Sequence, residues 1–190
     1  KPFPGRKGTE DDYRWTQGLK SLGRWFWESG YDHHPFEKME YVRDWNFRAM
    51  YGAWDCLKNV DGLYPNHKIA WAAYVTGKRE SRRLLGDVVL TEEDLIEYRE
   101  YPDGCVPAAW TIDLHWPDPR YAEGFEGDEF IATSDPPRTR WPYWIPYRCL
   151  YSRNVPNLFM AGRDISVTHE ALGMVRVMRT TGMMGEVLGM

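Results

Sequence analysis

The chain has 190 residues, a net charge of −4 and 43% apolar residues, enough to bury one good core and about one and a half domains. Its charges are spread without long blocks, which argues against a nucleic-acid or polybasic membrane role, and no run approaches the ~20 apolar residues of a membrane helix. Three cysteines, Cys56, Cys105 and Cys149, have neither CxxC spacing nor scaffold density, so free buried thiols are expected, with one disulfide left open.

Residues 1–16 are polar and rich in Gly and Pro, and read as a loop. Leu22 to Trp27 alternates imperfectly and ends at Ser29-Gly30, the pattern of a strand. Pro35 and Glu37 suit the first turn of a helix, along which Met39, Val42, Trp45, Ala49, Ala53 and Leu57 form an apolar stripe widened by Met50 and Trp54. That helix is expected to end near Asn59. Asn66 is placed to cap a shorter helix through Ile69, Ala72, Ala73 and Val75, closed by Gly77. Arg83 to Leu90 reads as a strand with Gly86 as a bulge. Thr91-Glu-Glu-Asp94 opens a helix through Leu95, Ile96 and Tyr98 in the manner of a capping box.

Asp103-Gly104 is a turn, and Ala108 to His115 reads as another strand. Trp116 to Trp141 is a Pro- and Gly-rich excursion, long enough to suggest a lid or a surface segment. Tyr143 to Leu150 is extended, and Leu158 to Ala161 is a short apolar strand. A terminal helix begins near Thr180 and carries Gly182, Gly185 and Gly189 on one face. Each glycine weakens a helix by about 1 kcal/mol relative to Ala, so three on one face need a reason. Close approach of another backbone or of a flat cofactor would supply one, and tight packing without a ligand is the alternative.

Asp113 and His115 fall on one face of the expected strand, where a carboxylate could orient a general base. His169-Glu170 is followed by Gly173, so it is not the H-E-x-x-H zinc motif, and five scattered histidines with no Cys pair suggest no metal site. Arg79-Glu-Ser-Arg-Arg83 is a dense charge cluster, readable as a solvated strand end or as part of a carboxylate-binding pocket. Ten tryptophans could stack on sugars, although Trp45 and Trp54 lean toward core packing.

Several motifs occur together in order: Arg79 to Asp87, Ile112 to His115, Ile145 to Leu150, Asn157-Leu-Phe-Met-Ala-Gly-Arg-Asp-Ile-Ser166, His169-Glu-Ala-Leu-Gly173, and Val175 to Met178 leading into Gly182-Met-Met-Gly185. With them the chain resembles the C-terminal part of the FAD-dependent oxidoreductase family, a flavoprotein family with many bacterial members. The resemblance implies an α+β or α/β fragment with a substrate or cap region over 1–143. The strand–loop–helix of a Rossmann-like FAD-binding domain would follow over 144–190. No G-x-G-x-x-G follows a strand in this sequence, so the N-terminal half that grips the adenosine and pyrophosphate is expected to be a missing part of the same protein.

The resemblance also implies roles. Gly162, Arg163 and Asp164 would contact the ribityl or phosphate region of FAD, and Thr181, Gly182, Met183 and Met184 would lie at the pyrimidine edge of the flavin. Arg79, Arg82, Tyr147 and Arg148 would face substrate, and His115 or His169 would act as the base, with a lean toward His115. The expected activity is hydride transfer from a hydroxylated small molecule, a sugar or polyol, to flavin N5. The alternative is a non-catalytic, aromatic-rich carbohydrate-binding module. No nucleic-acid or membrane partner is expected, and the compartment is left open between periplasm and cytoplasm.

Overall fold

The computed structural model describes residues 28–60, 62–119, 122–130, 132–134 and 142–190. The expected N-terminal loop and the strand ending at Trp27 lie outside these residues. The described elements are helical with two small antiparallel sheets, an α+β arrangement, and the chain divides into two compact units. The first is Lys1–Gly77 with His115–Thr133, and the second is Lys78–Leu114 with Ser134–Met190. The packing thus joins 78–114 to the C-terminal segment, whereas the sequence places a functional boundary at 143/144.

In the first unit, helix α1 spans Met39–Asp55 and widens into a π-helical turn, Cys56–Val60. The expected stripe packs inward at Ala49, Ala53 and Leu57, all nearly or fully buried. His34 Nδ1 accepts from the Phe36 and Glu37 amides ahead of the helix, a capping role that Pro35 cannot fill. Strands β2 (Trp116–Pro117) and β3 (Ala132–Thr133) pair across the excursion. Between them Phe125 and Phe130 meet edge to face, 5.1 Å between centroids, beside Trp45 and Ala49. Asp128 ties this loop to α1, accepting from the Tyr41 hydroxyl at 2.8 Å and pairing with His33 Nε2 at 3.0 Å, while its carbonyl accepts from Trp45 Nε1. The expected helix from Asn66 to Gly77 is absent. Trp71 is 80% exposed and Tyr74 and Val75 are exposed with it, so among the described residues no surface buries an apolar stripe there, and such burial is where most helical stability comes from.

In the second unit, helix α2 (Glu92–Ile96) has the expected capping box: the Asp94 amide donates to Thr91 Oγ1, and the Thr91 amide donates to Asp94 Oδ2. Asp94 is buried, and its other oxygen lies 2.8 Å from Arg99 in an ion pair that lacks hydrogen-bond geometry. Strand β1 runs over Gly104–Ala108, ending where the expected strand from Ala108 was to begin; residues 109–115 are irregular. The reason is pairing. β1 finds β4 (Tyr143–Pro146), with Val106 opposite Ile145 and Ala108 opposite Tyr143. The chain then closes into a 3-10 turn, Tyr147–Cys149, in place of a continuous extension to Leu150.

The expected strands at 83–90 and 158–161 are extended segments held by isolated bridges, Leu90 with Val167 and Tyr151 with Phe159. From Gly86 to Leu90 burial still alternates residue by residue. Leu84 and Leu90 amides donate to Asp164 and Ser166 carbonyls, the Thr168 amide returns to Leu90, and the Val88 amide reaches Arg148. The Ser166 amide in turn donates to Cys149. Three segments therefore interleave, and Gly86 sits where they crowd most. A Cβ there would lie 2.3 Å from the Arg148 carbonyl oxygen and 3.0 Å from Ser166 Cβ. The glycine serves close backbone contact and not the bulge read from sequence.

Helix α3 (His169–Val175), which the sequence reading did not anticipate, is capped by Thr168, whose hydroxyl accepts from the Ala171 amide, and is buried from Ala171 to Val175. Gly173 admits the Asp113 backbone, an added Cβ lying 3.0 Å from its nitrogen. Helix α4 (Met178–Gly189) begins two residues before the expected start. The core of this unit joins Leu90, Leu95, Val106, Ile145, Leu150, Ile165, Leu172 and Met184.

Replacing Gly86 by Ala should destabilise the second unit by about 3 kcal/mol through overpacking against backbone that cannot move aside. Denaturant unfolding followed by circular dichroism checks this, and an unchanged midpoint would refute the crowding.

Candidate functional site

Of the residues singled out in the sequence, all but His115 lie in the second unit. The Asn157–Ser166 segment brings Gly162, Arg163 and Asp164 into a turn, in which an added Gly162 Cβ would lie 3.1 Å from Asp164 Oδ1. Arg163 is exposed and donates through Nη1 to the Lys78 carbonyl, and the Asp164 carbonyl accepts from Leu84. The turn is thus pinned against the start of the 78–90 segment.

The amino end of α4 differs from that of α3. Its N-cap is Val177, which offers no side-chain hydrogen bond, and Met178 beyond it is 89% exposed. The first-turn amides, oriented along the helix axis, carry a partial positive charge. The glycine face is open: a Cβ at Gly182 or Gly189 would meet nothing within 4 Å among the described residues, and one at Gly185 would only touch Ala161 Cβ at 4.0 Å. Approach of another described backbone is therefore not what the three glycines serve. Thr181 and Met183 are half-buried and Gly182 is exposed, but Met184 is fully buried in the core.

Tyr147 is exposed on the 3-10 turn, next to Arg148, which is committed to Asp103. Arg148 Nε and Nη2 fork onto the two carboxylate oxygens at 3.0 and 2.8 Å, and its amide adds a third bond at 3.0 Å. The guanidinium also stands 5.6 Å from the Tyr101 ring centroid. This pair holds the Asp103 carboxyl below its ordinary value of 3.8 and joins the turn before β1 to the turn after β4. Arg79 is half-buried and Arg82 exposed at the start of the 78–90 segment, and both make further interactions.

The two candidate bases each have a carboxylate partner. His115 Nδ1 lies 2.8 Å from Glu28 Oε2 in the first unit. The premise that Asp113 and His115 share a strand face fails, since no strand forms there and the two residues belong to different units. His169 Nδ1 lies 2.5 Å from Glu80 Oε2 in the second unit, and Glu80 Oε1 accepts from Arg83. Glu80 is the residue that sequence reading missed. Its charge cluster was visible, but its partner is 89 positions away.

Cys105 and Cys149 are free, and burial pushes the Cys149 thiol up to about 12, so it is an inert packing group. Among the described residues no three His, Cys, Asp or Glu side chains gather as a metal site would require, and no helix is long and apolar enough to cross a membrane.

The family model for FAD dependent oxidoreductases matches residues 5–190, almost the whole chain. The chain belongs to this family. Its cofactor is FAD and its chemistry is oxidation–reduction. No curated protein and no solved structure gives a significant match. The residues present are compatible with such a cofactor: an uncapped helix amino end suits a group that gains negative charge on reduction, and three glycines on one helix face present no side chains of their own there.

Because the Asp103 carboxyl is lowered in the folded chain, its pairing adds stability fully present above 3.8 and lost as pH falls through the lower native value. Asp103→Asn should therefore flatten the acid limb of a stability–pH curve recorded by thermal unfolding. A variant that keeps the wild-type acid dependence would show that Asp103 does not contribute to it.

Proposed function

We propose that this chain is the C-terminal part of an FAD-dependent oxidoreductase that removes hydride from a hydroxylated small molecule, a sugar or polyol in class. The observation that carries the reading is the glycine face of α4, open along a helix whose amino end has no side-chain cap. Three glycines on one side cost helix stability, and no described backbone uses the space they leave. In this reading the backbone from Thr181 to Met184 meets the pyrimidine edge of the flavin, and Gly162, Arg163 and Asp164 meet its ribityl or phosphate region. The half of the protein bearing the Gly-rich fingerprint supplies the remaining grip.

Bound FAD would supply the hydride acceptor. The protein's own tasks are to hold the ring, to offset charge near the helix amino end, and to accept the hydroxyl proton at a histidine, His115 or His169. Tyr147 and Arg82 are exposed and Arg79 is half-buried in the unit that carries α4, and all three would face substrate. Arg148, held in its fork by Asp103, would act by fixing the turn that presents Tyr147.

Gly182 separates a packing role from a cofactor role. Gly182→Ala should raise helix stability by up to about 1 kcal/mol, since the added methyl meets nothing among the described residues. The same change should lower flavin retention in the full-length protein, measured as the ratio of flavin to protein absorbance after purification. Stabilisation with full flavin retention would remove the main support for this reading.

A further inference from the structure

We propose that Arg83, Glu80 and His169 form a fixed relay that leaves His169 Nε2 as the proton acceptor for the substrate hydroxyl. The proposal rests on the oxidoreductase reading above and assigns one atom and two positioning residues within it. The geometry is specific. Glu80 has two carboxylate oxygens, and each is engaged: Oε1 accepts from Arg83 Nη1, and Oε2 faces His169 Nδ1 at 2.5 Å. A carboxylate accepts only, so the imidazole proton on this side sits on Nδ1. The second ring nitrogen of the neutral imidazole is then an unprotonated lone pair, which is what a general base needs.

Burial grades along the relay in the same sense. The side chains of Arg83, Glu80 and His169 are 25%, 33% and 57% exposed, so the anchor is most enclosed and the base most open to an incoming molecule. The backbone holds both ends. Leu84, next to Arg83, donates to the Asp164 carbonyl, and Thr168, next to His169, donates to Leu90 and caps α3. His169 is the first residue of α3, and only Arg176 and Val177 lie between α3 and α4. The relay therefore belongs to the unit that carries the glycine-faced helix, whereas the pair made by His115 and Glu28 lies in the other.

In the step assigned to it, the substrate O–H bond breaks as an Nε2–H bond forms on His169, while the adjacent C–H hydrogen leaves with its electron pair to oxidised FAD. The substrate becomes a carbonyl compound, and the imidazolium formed is stabilised by the Glu80 carboxylate. Arg83 keeps that carboxylate oriented and charged. His169 would be the catalytic residue, and Glu80 and Arg83 position it.

The test has two arms. In the first, long-range 1H–15N spectra of the full-length protein, recorded at a pH where the imidazole is neutral, should show the His169 proton on Nδ1. Glu80→Ala should return it toward the Nε2–H form that an unconstrained imidazole prefers, and Glu80→Gln, whose amide oxygen still accepts, should restore Nδ1–H. A wild-type His169 with its proton on Nε2, or a Glu80→Ala spectrum unchanged from wild type, would overturn the relay. The second arm follows loss of the yellow flavin band under anaerobic conditions with glucose, glycerol and benzyl alcohol as probes. His169→Gln should slow bleaching about 10²- to 10⁴-fold without loss of bound flavin, and an equal rate in the variant would overturn the assignment. If no probe bleaches the wild type, the substrate class proposed above fails, and the tautomer arm alone decides the relay.

Discussion

The second unit depends on one constraint: three chain segments approach too closely at Gly86 for any side chain to stand between them. The 84–90 segment donates to Asp164 and Ser166 and to Arg148, and Ser166 closes the triangle through Cys149. Neither a regular sheet nor a helix forms there, yet the Leu84, Val88 and Leu90 amides each find a carbonyl on a neighbouring segment, as buried peptide groups require. Several of the candidate residues lie along this knot. Its amino end carries Glu80 and Arg83, its 164–168 edge leads into α3 and α4, and its 148–153 edge follows the Tyr147 turn.

Two carboxylates in this unit tie together segments that are distant in sequence. Asp103 with Arg148 and Glu80 with Arg83 each use a carboxylate whose two oxygens are both occupied. An exposed ion pair contributes little to stability, but a fork fixes direction, because a planar guanidinium matches a carboxylate in few orientations. For Asp103 both oxygens go to one arginine, and the result is a fastened pair of turns. For Glu80 one oxygen goes to Arg83 and the other to His169, so the same device orients a titratable ring.

The two helices at the end of the chain show a division of labour. In α3 the residues from Ala171 to Val175 are buried, and its one glycine is filled by the Asp113 backbone. In α4 Thr180 and Met184 are buried, and an added Cβ at Gly182 or Gly189 would meet nothing within 4 Å among the described residues. Glycine thus plays opposite parts in successive helices, close packing in the first and vacancy in the second. The vacancy is what a planar ligand requires.

Periodicity, capping and composition were sufficient for the elements whose stability is local. Met39 to Leu57 formed its helix because one stripe is apolar, Thr91 to Asp94 formed a capping box because both bonds lie within four residues, and α4 followed from its own composition. The family motifs were also legible in sequence, since they are short and contiguous. What failed was non-local. Asn66 to Gly77 carried a helical pattern but found nothing among the described residues to bury it, β1 was shifted toward Gly104 by its pairing with β4, and α3 was hidden by Gly173, whose meaning depends on Asp113 some sixty residues earlier. The partners of the candidate bases, Glu28 and Glu80, were likewise invisible, because a hydrogen bond across nearly ninety residues leaves no spacing in the sequence. Local order was written in the order of the residues; which carboxylate would meet which imidazole was decided only when distant segments were packed together.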